Sequence, residues 1–324
     1  MYRALVTCHH LQRYFEDFQP HYEASGVEPI LPTIEGQQLD AAAMREVILD
    51  VDAVIAGDDE IDASVLEAGK ASRLKAVIKW GIGTDSIDKA KAAELGIPVF
   101  NTPGTFANEV ADLAISLLLN VLRQTHHMHN SVKQGGWRKV PGRSLAGMTA
   151  GVIGLGSIGQ AVARRTVAFG MNTIGYDVRA IDADTLSSLD VTQVDLPTLF
   201  AKSDVILVAC ELTPESRHLL RDETFAQMKD GVYIVNVSRG PLIDEKALGR
   251  ALESGKVAGV GLDVFEVEPL PQDSELHRFE TAVFSTHNGS NTIEAVARVN
   301  AMTTDILLHV LGLKELDFIP NRVA

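Results

Sequence analysis

The sequence has little of several features that mark particular protein classes. Only two of its 324 residues are cysteine, Cys8 and Cys210, which argues against a disulfide framework and for reduced thiols in a cytoplasmic protein. Its longest apolar run, residues 113–122, is interrupted by Asn120 and is too short to cross a bilayer. No basic segment followed by an apolar one opens the chain, so no secretion signal is expected.

Basic residues are also scarce. The chain has 29 Lys and Arg against 43 Asp and Glu, a formal net charge of −14. This charge argues against nucleic acid and membrane surfaces as partners. Local positive groups must therefore hold any anionic substrate, since the overall field repels it. The content of 46% hydrophobic and 22% charged residues is typical of a soluble globular protein, and the length suits two domains.

Short apolar runs alternate with amphipathic stretches through the first hundred residues, which predicts a parallel sheet covered by helices on both faces. The expected strands are 3–7, 27–32, 52–57, 74–80 and 97–100. The expected helices are 16–24, 40–49, 62–68 and 86–95, the last closed by Gly96 as a C-terminal cap.

The pattern restarts after one long predicted helix, residues 108–130. The second set of expected strands is 149–154, 171–177, 204–210, 231–238, 257–265 and 282–287, and Asp244 is a good N-cap for the helix over 247–252. A last amphipathic helix, 292–311, has no strand of its own and is expected to pack back on the first unit.

These patterns predict an α/β protein with two doubly wound parallel-sheet domains. The first domain is expected to be discontinuous, 1–101 plus 291–324, and to bind substrate. The second, 102–290, is inserted into it and is expected to bind a dinucleotide. A cleft between two such domains is a natural substrate site.

The stretch GVIGLGSIG, residues 151–159, follows a predicted strand and opens a predicted helix. Gly154 permits a tight turn, Gly156 lets the backbone approach a pyrophosphate, and Gly159 lets the helix pack closely on the strand. Phosphate oxygens then meet the free N–H groups at the positive end of the helix. Asp177 ends the next strand, where a carboxylate accepts hydrogen bonds from ribose hydroxyls and repels a 2′-phosphate. NAD is therefore favoured over NADP, although Arg179 leaves some room for both.

Three polar residues follow later strands: Arg239, Glu268 and His287. Ligands of open α/β sheets bind beyond the carboxyl ends of the strands, so all three can point at one crevice. A guanidinium binds a carboxylate at two points, and an imidazole exchanges a hydroxyl proton while hydride moves to or from a nicotinamide. A carboxylate beside the imidazole orients it and stabilises its protonated form. Each residue alone is more often a surface or capping residue, so the prediction rests on their joint placement.

Several motifs in order resemble those of the D-isomer-specific 2-hydroxyacid dehydrogenase family. They are LKAVIKWGIGTDSID, NTPG, the Trp137 that precedes SLAGMTAGVIGLGSIG, VNVSRGPLIDEKAL, GLDVFEVEP and STHNGSNT, spread over about two thirds of the chain. The segment FGMNTIGYD and its surroundings look like D-3-phosphoglycerate dehydrogenase within that family.

The resemblance implies two flavodoxin-like or Rossmann-like domains with a mobile cleft, and a homodimer built on the cofactor domains. It implies an NAD-dependent oxidoreductase that interconverts a D-2-hydroxy acid and its 2-keto acid, with Arg239, Glu268 and His287 as the catalytic triad. It assigns cofactor contacts to Gly154, Gly156, Ser157, Ile158, Gly159, Asp177, Thr213, Pro214, Val237, Ser238, Asp263 and Asn108. It assigns substrate contacts to Lys79, Trp80, Gly81, Ile82, Gly83, Arg239 and His287, with backbone N–H groups of the 81–83 turn on the substrate carboxylate.

Two departures from the family pattern concern the cofactor loop and the substrate. The family usually has a His-x-Pro pattern after the strand at 204–208, where this chain has Ala209, Cys210 and Glu211. The phosphoglycerate dehydrogenases place an arginine after the strand that matches DAVIA, where this chain has the acidic loop 58–60. That loop argues against a phosphorylated substrate, although Lys79 stands where another of their basic residues falls.

Other features are expected to be structural. His126, His127 and His129 cluster near a helix end without a carboxylate or cysteine ligand, so no metal is expected; His9 and His10 are expected at the surface. Trp137, Arg138, Lys139 and Arg143 form a basic loop interpreted as a dimer contact. Two alternative functions stay open: D-3-phosphoglycerate dehydrogenase itself, and an NAD-sensing interaction protein like the C-terminal binding protein corepressors, which resemble this family and keep its triad.

Overall fold

The computed structural model describes residues 1–318 and 320–324. These residues form two compact units, one of Met1–Thr105 with Thr292–Ala324 and the other of Phe106–Asn291. Each unit is an α/β structure built on its own sheet, which confirms the predicted fold class. No helix among the described residues is both long enough and apolar enough to cross a membrane.

The first hundred residues contain five strands and five helices. They are β1 (Tyr2–Val6), α1 (His9–Arg13), α2 (Phe15–Ala24), β2 (Val27–Ile30), α3 (Ala41–Val47), β3 (Ala53–Ala56), α4 (Ala63–Ser72), β4 (Ala76–Lys79), α5 (Lys89–Glu94) and β5 (Val99–Asn101). Every residue of β3 and β4 is buried, as expected for central strands covered on both faces. Asp40, Asp62 and Asp88 cap the helices that follow them, because each carboxylate accepts a backbone N–H of the first turn. The short helix α1 was not predicted.

The second unit contains the next seven strands. Its elements are α6 (Ala107–Arg123), α7 (Thr125–Lys133), β6 (Thr149–Ile153), α8 (Ser157–Ala168), β7 (Asn172–Tyr176), α9 (Ala183–Leu189), β8 (Thr192–Gln193), α10 (Leu196–Lys202), β9 (Val205–Val208), α11 (Asp222–Phe225), β10 (Val232–Asn236), α12 (Glu245–Glu253), β11 (Val257–Leu262) and β12 (Ala282–Phe284). All pairings are parallel, in the order β12-β11-β10-β9-β6-β7-β8. The predicted cap is confirmed, since Asp244 accepts Ala247 N–H at 3.0 Å.

The helix predicted over 108–130 is wrong as a single element. It divides at Gln124, whose backbone is left-handed with φ of 49°. The apolar face of α6 is buried as far as Leu122, whereas α7 buries none of its residues. The chain turns at this point because the sequence that follows offers no apolar face to the core.

The C-terminal tail completes the first unit. The last helix, α13 (Ile293–Val310), packs on β3, β4 and α1, so its predicted return is confirmed. The prediction that this tail has no strand is wrong, because β13 (Asn321–Arg322) pairs antiparallel with β5. Two residues are too few to show an alternating pattern, which also explains why β8 was not predicted.

The order of the first sheet is β13-β5-β4-β3-β1-β2. Its five parallel strands therefore follow the flavodoxin-like order 2-1-3-4-5, in which chain direction across the sheet reverses between β1 and β3. The second sheet follows the dinucleotide-binding order, with its reversal between β6 and β9. Ligands of such sheets bind beyond the carboxyl ends of the strands at the reversal.

Candidate active site

The glycine turn joins β6 to α8 at the reversal point of the second sheet. Gly154 has φ of 92°, a conformation that favours glycine, and its N–H donates to the Tyr176 carbonyl at 2.7 Å. A Cβ on Gly159 would lie 1.8 Å from the Gly154 carbonyl oxygen, so only glycine lets the helix start this close to the strand. Around Gly156, by contrast, an added Cβ would meet nothing within 4 Å. The turn thus has the tight backbone and the open side that a pyrophosphate requires.

Asp177 stands directly after β7 and faces this turn. One carboxylate oxygen accepts Leu155 N–H at 2.8 Å, and the other accepts Arg179 N–H at 3.0 Å. Partial burial alone would raise the pKa of this carboxyl, but the hydrogen bonds from Arg179 and Leu155 outweigh it and lower the pKa below its ordinary value. The group is therefore ionised at neutral pH. The residues of this turn fit a dinucleotide with a free ribose 2′-hydroxyl.

The segment that departs from the family's His-x-Pro pattern packs against the glycine turn. A Cβ on Gly154 would lie 2.7 Å from the backbone of Cys210. The hydroxyl of Ser238 donates to the Cys210 carbonyl, which ties this segment to the end of β10. Burial, with the charges of Asp177 and Glu211, raises the pKa of the Cys210 thiol to about 11. Burial thus disfavours the thiolate form of Cys210, which packs beside the turn.

Other residues assigned to the cofactor lie elsewhere in the second unit, and Val237 and Ser238 directly follow β10. Ser157 and Ile158 are the first residues of α8, and Asn108 lies in the first turn of α6. Thr213 and Pro214 belong to a turn closed by the hydrogen bond from Thr213 N–H to the Ser216 hydroxyl at 2.7 Å. Their contacts with NAD stay predictions.

The three predicted catalytic residues follow neighbouring strands. Strands β10, β11 and β12 lie side by side and run parallel, so their carboxyl ends share one edge of the sheet. Arg239 follows β10, Glu268 lies on the loop after β11, and His287 follows β12. Nη1 of Arg239 donates to the Ser238 carbonyl at 2.8 Å.

Glu268 and His287 are in direct contact. Nδ1 of His287 lies 2.7 Å from Oε2 of Glu268, and both side chains are largely buried, with 24% and 17% exposed. The other carboxylate oxygen of Glu268 accepts Phe265 N–H at 2.9 Å. This places the carboxylate where it orients the ring and stabilises an imidazolium.

Asp263 has a role that sequence reasoning missed. It was assigned to the cofactor, but its buried carboxylate accepts Asn288 N–H at 2.8 Å and Gly289 N–H at 3.0 Å. Its own carbonyl accepts His287 N–H at 2.7 Å. Asp263 therefore holds the loop of His287, whose backbone is left-handed with φ of 51°. The available signal was a charged residue directly after the apolar strand β11 and before the apolar Val264 and Phe265.

A second group of residues that the sequence did not reveal supports the loop before Glu268. Glu266 forms hydrogen bonds with His218 and Glu245. A Cβ on Gly240 would lie 1.8 Å from the backbone carbonyl carbon of Phe265. The residue after Arg239 must therefore be glycine for the loop of Glu268 to pack where it does.

In the first unit, the predicted substrate residues follow β4. Nζ of Lys79 pairs with Asp58 at 2.8 Å and is almost fully buried, whereas Asp58 is 39% exposed. Trp80 is buried, and its indole N–H donates to Asn300 at 2.7 Å. His10 stacks on Trp80 with ring centroids 4.6 Å apart. It is therefore partly buried, and burial lowers its pKa, so the expected surface placement is wrong for His10.

The turn at 81–83 was expected to offer backbone N–H groups to a substrate carboxylate. Gly81 has φ of 127°, and its N–H donates to the Thr102 hydroxyl at 3.2 Å. The Ile82 carbonyl accepts the Asn101 amide at 2.7 Å, which holds the turn to β5. Within the described part of the chain, no acceptor contacts the N–H of Ile82 or of Gly83. These two amides are the ones that can receive an anion.

One carboxylate of the acidic loop 58–60 points into the protein and holds neighbouring segments together. Asp59 is buried and accepts Leu39 N–H and Gly57 N–H, each at 2.9 Å, together with the Thr7 hydroxyl at 2.5 Å. Its burial raises its pKa. Only the carboxylates of Asp58 and Glu60 in this loop reach solvent.

The basic loop is exposed, and the histidine cluster shows no ligand set. Trp137 is 80% exposed, and Arg138 approaches Glu280 at 3.6 Å. His126 stacks on His127, which lies 2.8 Å from the Glu280 carbonyl. Among residues 1–318 and 320–324, no three His, Cys, Asp or Glu side chains are arranged to hold a metal ion.

Comparison with known proteins agrees with this geometry. The family model "D-isomer specific 2-hydroxyacid dehydrogenase, NAD binding domain" matches residues 115–289, more than half of the chain. The chain belongs to this family. It is an NAD-dependent oxidoreductase that acts on the CH–OH group of 2-hydroxy acids.

Relatives of this D-2-hydroxyacid dehydrogenase differ in substrate. It is 42% identical to hydroxypyruvate reductase of Thermotoga maritima over 86% of this chain and 91% of that protein. It is 40% identical to D-3-phosphoglycerate dehydrogenase of Methanocaldococcus jannaschii, but the match covers 83% of this chain and only 51% of that protein. The structure of D-lactate dehydrogenase from Escherichia coli matches over the full length of both chains, with a TM-score of 0.83 and 32% identity.

Proposed function

We propose that this dehydrogenase reduces a small, unphosphorylated 2-keto acid to the D-2-hydroxy acid with NADH, and catalyses the reverse oxidation. The observation that carries the proposal is the contact between His287 and Glu268. It supplies a proton donor of fixed orientation beside the edge of the sheet where Arg239 stands.

The glycine turn and Asp177 are the proposed NAD site. The N–H groups at the start of α8 receive the pyrophosphate, and the Asp177 carboxylate accepts the ribose hydroxyls. Bound NADH supplies the hydride that reduces the keto carbon. Thr213, Val237 and Ser238 are proposed to line the same site.

His287 is the proposed general acid and base. Glu268 engages Nδ1, so Nε2 is the ring nitrogen that gives a proton to the keto oxygen. In the reverse direction the neutral ring takes the proton of the hydroxyl group. The Glu268 carboxylate stabilises the imidazolium that reduction needs and oxidation forms.

Arg239 of the second unit is proposed to bind the substrate carboxylate, and the backbone N–H groups of the 81–83 turn are the proposed anion-binding donors of the first unit. A guanidinium forms two parallel hydrogen bonds with a carboxylate, which also orients the keto carbon. The amides of Ile82 and Gly83 are the members of the turn that the fold leaves able to donate. Local donors of this kind are required in a chain of net charge −14.

The ion pair of Lys79 and Asp58 supports an unphosphorylated substrate. Lys79 and Asp58 stand at the carboxyl ends of β4 and β3, where the first unit is expected to meet substrate. Because Asp58 compensates the Lys79 charge at 2.8 Å, this cation is not available to balance a phosphate dianion. The relatives named for hydroxypyruvate and D-lactate, which match over 91% and 100% of their length, also favour this choice over D-3-phosphoglycerate, whose named relative matches over 51%.

A substrate panel tests the proposal. Purified protein with NADH is given glyoxylate, pyruvate, hydroxypyruvate, branched 2-keto acids and 3-phosphohydroxypyruvate, and the absorbance of NADH is followed. We expect steady turnover with at least one unphosphorylated acid and a far lower kcat/KM for 3-phosphohydroxypyruvate. A chain that binds NADH but turns over no 2-keto acid would instead be an interaction protein of the corepressor type.

A matched pair of variants isolates the ion pair. Asp58→Asn leaves Lys79 without its counter-ion, so the preference for hydroxypyruvate over 3-phosphohydroxypyruvate should narrow by roughly tenfold, the scale of a hydrogen bond to a charged group. Glu60→Gln removes the same charge from the same loop at an exposed side chain and should leave the preference unchanged. Equal effects of the two variants would mean that the negative charge of the whole loop, and not the Lys79–Asp58 ion pair, sets the preference for the unphosphorylated substrate.

The oligomer and the compartment are proposed as well. The exposed Trp137 of the basic loop supports a homodimer through the NAD-binding units. Light scattering should give twice the monomer mass for the wild type and a smaller mass for Trp137→Glu. The free thiols of Cys8 and Cys210 support a cytoplasmic location, and the acidic charge supports a protein without nucleic-acid or membrane partners.

A further inference from the structure

His218 is joined by its backbone to the segment that carries Arg239. It lies between β9 and α11, and its N–H donates to the Pro241 carbonyl at 2.8 Å. Pro241 is the second residue after Arg239, within the short 3-10 turn Gly240–Leu242. A bridge between Leu220 and Ile243 continues the same pairing. The segment that contains His218 is therefore paired directly with the segment that follows Arg239.

The side chain of His218 reaches the other catalytic segment. Its Nε2 lies 2.6 Å from Oε1 of Glu266, two residues before Glu268. Glu266 is fixed on its other side by Glu245, whose carboxylate accepts Glu266 N–H at 2.7 Å and whose N–H donates to the Glu266 carboxylate at 3.3 Å. The loop that orients Glu268 is thus held by contacts at Glu266 as well as by Phe265 N–H.

The backbone of His218 shows that this placement is specific. Its φ is 51°, in the left-handed region that few residues other than glycine adopt. Three carboxylates gather here, since the charges of Glu266 and Glu268 both act on the partly buried Glu245. The His218 ring is the side chain that contacts the Glu266 carboxylate, and it is only 35% exposed.

We propose that His218 is a positioning residue that ties the segment of Arg239 to the loop of Glu268 through Glu266. It touches no reacting atom in this scheme. It keeps the guanidinium in register with the Glu268–His287 pair, so that one bound 2-keto acid can meet both. The inference rests on the proposed function, because that function is what requires the two segments to hold a common geometry.

Four variants test this role. His218→Ala and Glu266→Ala each remove the tie, and the double variant removes both partners. His218→Gln can still donate to Glu266. His277→Ala is the matched control, because His277 is an exposed histidine of the same unit whose ring lies against the Pro271 carbonyl and the ring of Phe284 and not against Glu266. For each protein we would measure kcat and KM for reduction from pH 6 to 10, the Kd of NADH and the melting temperature.

We expect His218→Ala to lower kcat on the order of 10-fold to 100-fold, the scale of a small misplacement of catalytic groups, with the Kd of NADH unchanged. The alkaline limb of its reduction profile should move to lower pH, because a loosened Glu268 stabilises the imidazolium less. His218→Gln should recover most of the rate. The double variant should lose little more than either single one, since both act on one contact.

Wild-type kcat and an unmoved pH profile in folded His218→Ala would overturn the inference. A second result would also overturn it: a lower melting temperature, equal losses of kcat in His218→Ala and His218→Gln, and an unchanged pH profile of reduction. That combination is expected of a residue that only stabilises the fold. The wild type run in the same assay separates the two proposals. If it oxidises NADH with none of the 2-keto acids, the proposed function fails; if it turns over normally while His218→Ala does too, only the role of His218 fails.

Discussion

Nδ1 of His287 lies 2.7 Å from Oε2 of Glu268, and the second oxygen of that carboxylate accepts Phe265 N–H at 2.9 Å. The carboxylate is therefore held by the backbone while it holds the ring. Because Glu268 engages Nδ1, Nε2 is the ring atom proposed to exchange the proton with the substrate oxygen in both reduction and oxidation. In the proposed mechanism this pair transfers the proton, and Arg239 binds the substrate carboxylate.

The pH dependence of the two directions should be opposite. Reduction needs the imidazolium of His287, so its rate should hold at low pH and fall as the ring loses its proton. Oxidation needs the neutral ring and should rise over the same range. Glu268→Gln removes the charge that stabilises the imidazolium, so its reduction profile should move to lower pH. His287→Gln should lose on the order of 10²–10⁴-fold in kcat with NADH binding kept. Turnover by His287→Gln at the wild-type rate would exclude the mechanism.

Arg239→Lys should separate substrate binding from cofactor binding. Lysine keeps the charge but loses the fork that grips a carboxylate at two points. We expect a sharply lower kcat/KM for the 2-keto acid and an almost unchanged Kd for NADH, measured by fluorescence titration. The reverse pattern, weaker NADH with normal use of the acid, would make Arg239 a cofactor or structural residue.

Asp177 should set the choice of cofactor. Its carboxylate is ionised at neutral pH and would face the 2′-phosphate of NADPH, so the wild type should prefer NADH by at least ~10-fold, equivalent to ~1.4 kcal/mol. Asp177→Ser should narrow that preference in kcat/KM. A wild type that uses both cofactors equally well would contradict this assignment.

Gly240→Ala should disturb the site without touching a catalytic side chain. The new Cβ would lie 1.8 Å from the Phe265 backbone, so the loop of Glu268 must shift. We expect a loss of roughly 1–3 kcal/mol in the free energy of unfolding together with a lower kcat. Gly249→Ala is the control, because that Cβ would lie 3.7 Å from its nearest neighbour, inside a helix that alanine favours. It should be neutral or stabilising in the same urea titration.

Both thiols should react slowly in the native protein. Burial raises the pKa of Cys8 to about 12 and that of Cys210 to about 11, so little thiolate exists at pH 8. Iodoacetamide at that pH should label neither residue appreciably until guanidinium unfolds the chain, when mass spectrometry should find both modified. Rapid labelling of native Cys210 would show that the segment beside the glycine turn opens.

Local sequence accounts for most of the secondary structure and for the residues at the strand ends. Alternating apolar and amphipathic runs predict parallel sheets because each element must bury its own face, and this information lies within a few residues. The glycine turn is only partly local: Gly159 is required by the Gly154 carbonyl within one strand, turn and helix, whereas a Cβ on Gly154 would meet the backbone of Cys210. Arg239, Glu268 and His287 could be grouped because parallel strands end at one edge. The break at Gln124 escaped prediction because the following residues can form a helix although they offer no apolar face to the core, and β13 escaped because two residues show no alternating pattern.

The sequence by itself thus determined the two α/β units, the cofactor turn and the chemical types of the catalytic groups. Tertiary structure alone decided how those groups are held. His218 and Glu266 are 48 positions apart in the sequence. Asp263 is 25 positions from Asn288, the residue beside His287 whose N–H it accepts. Lys79 meets Asp58 from the neighbouring strand, so a basic residue that suggested a phosphate site is already compensated. The sequence separations of these pairs follow no helix or strand repeat, so no local pattern reveals them. Only the packing of whole elements brings the residues within hydrogen-bonding distance.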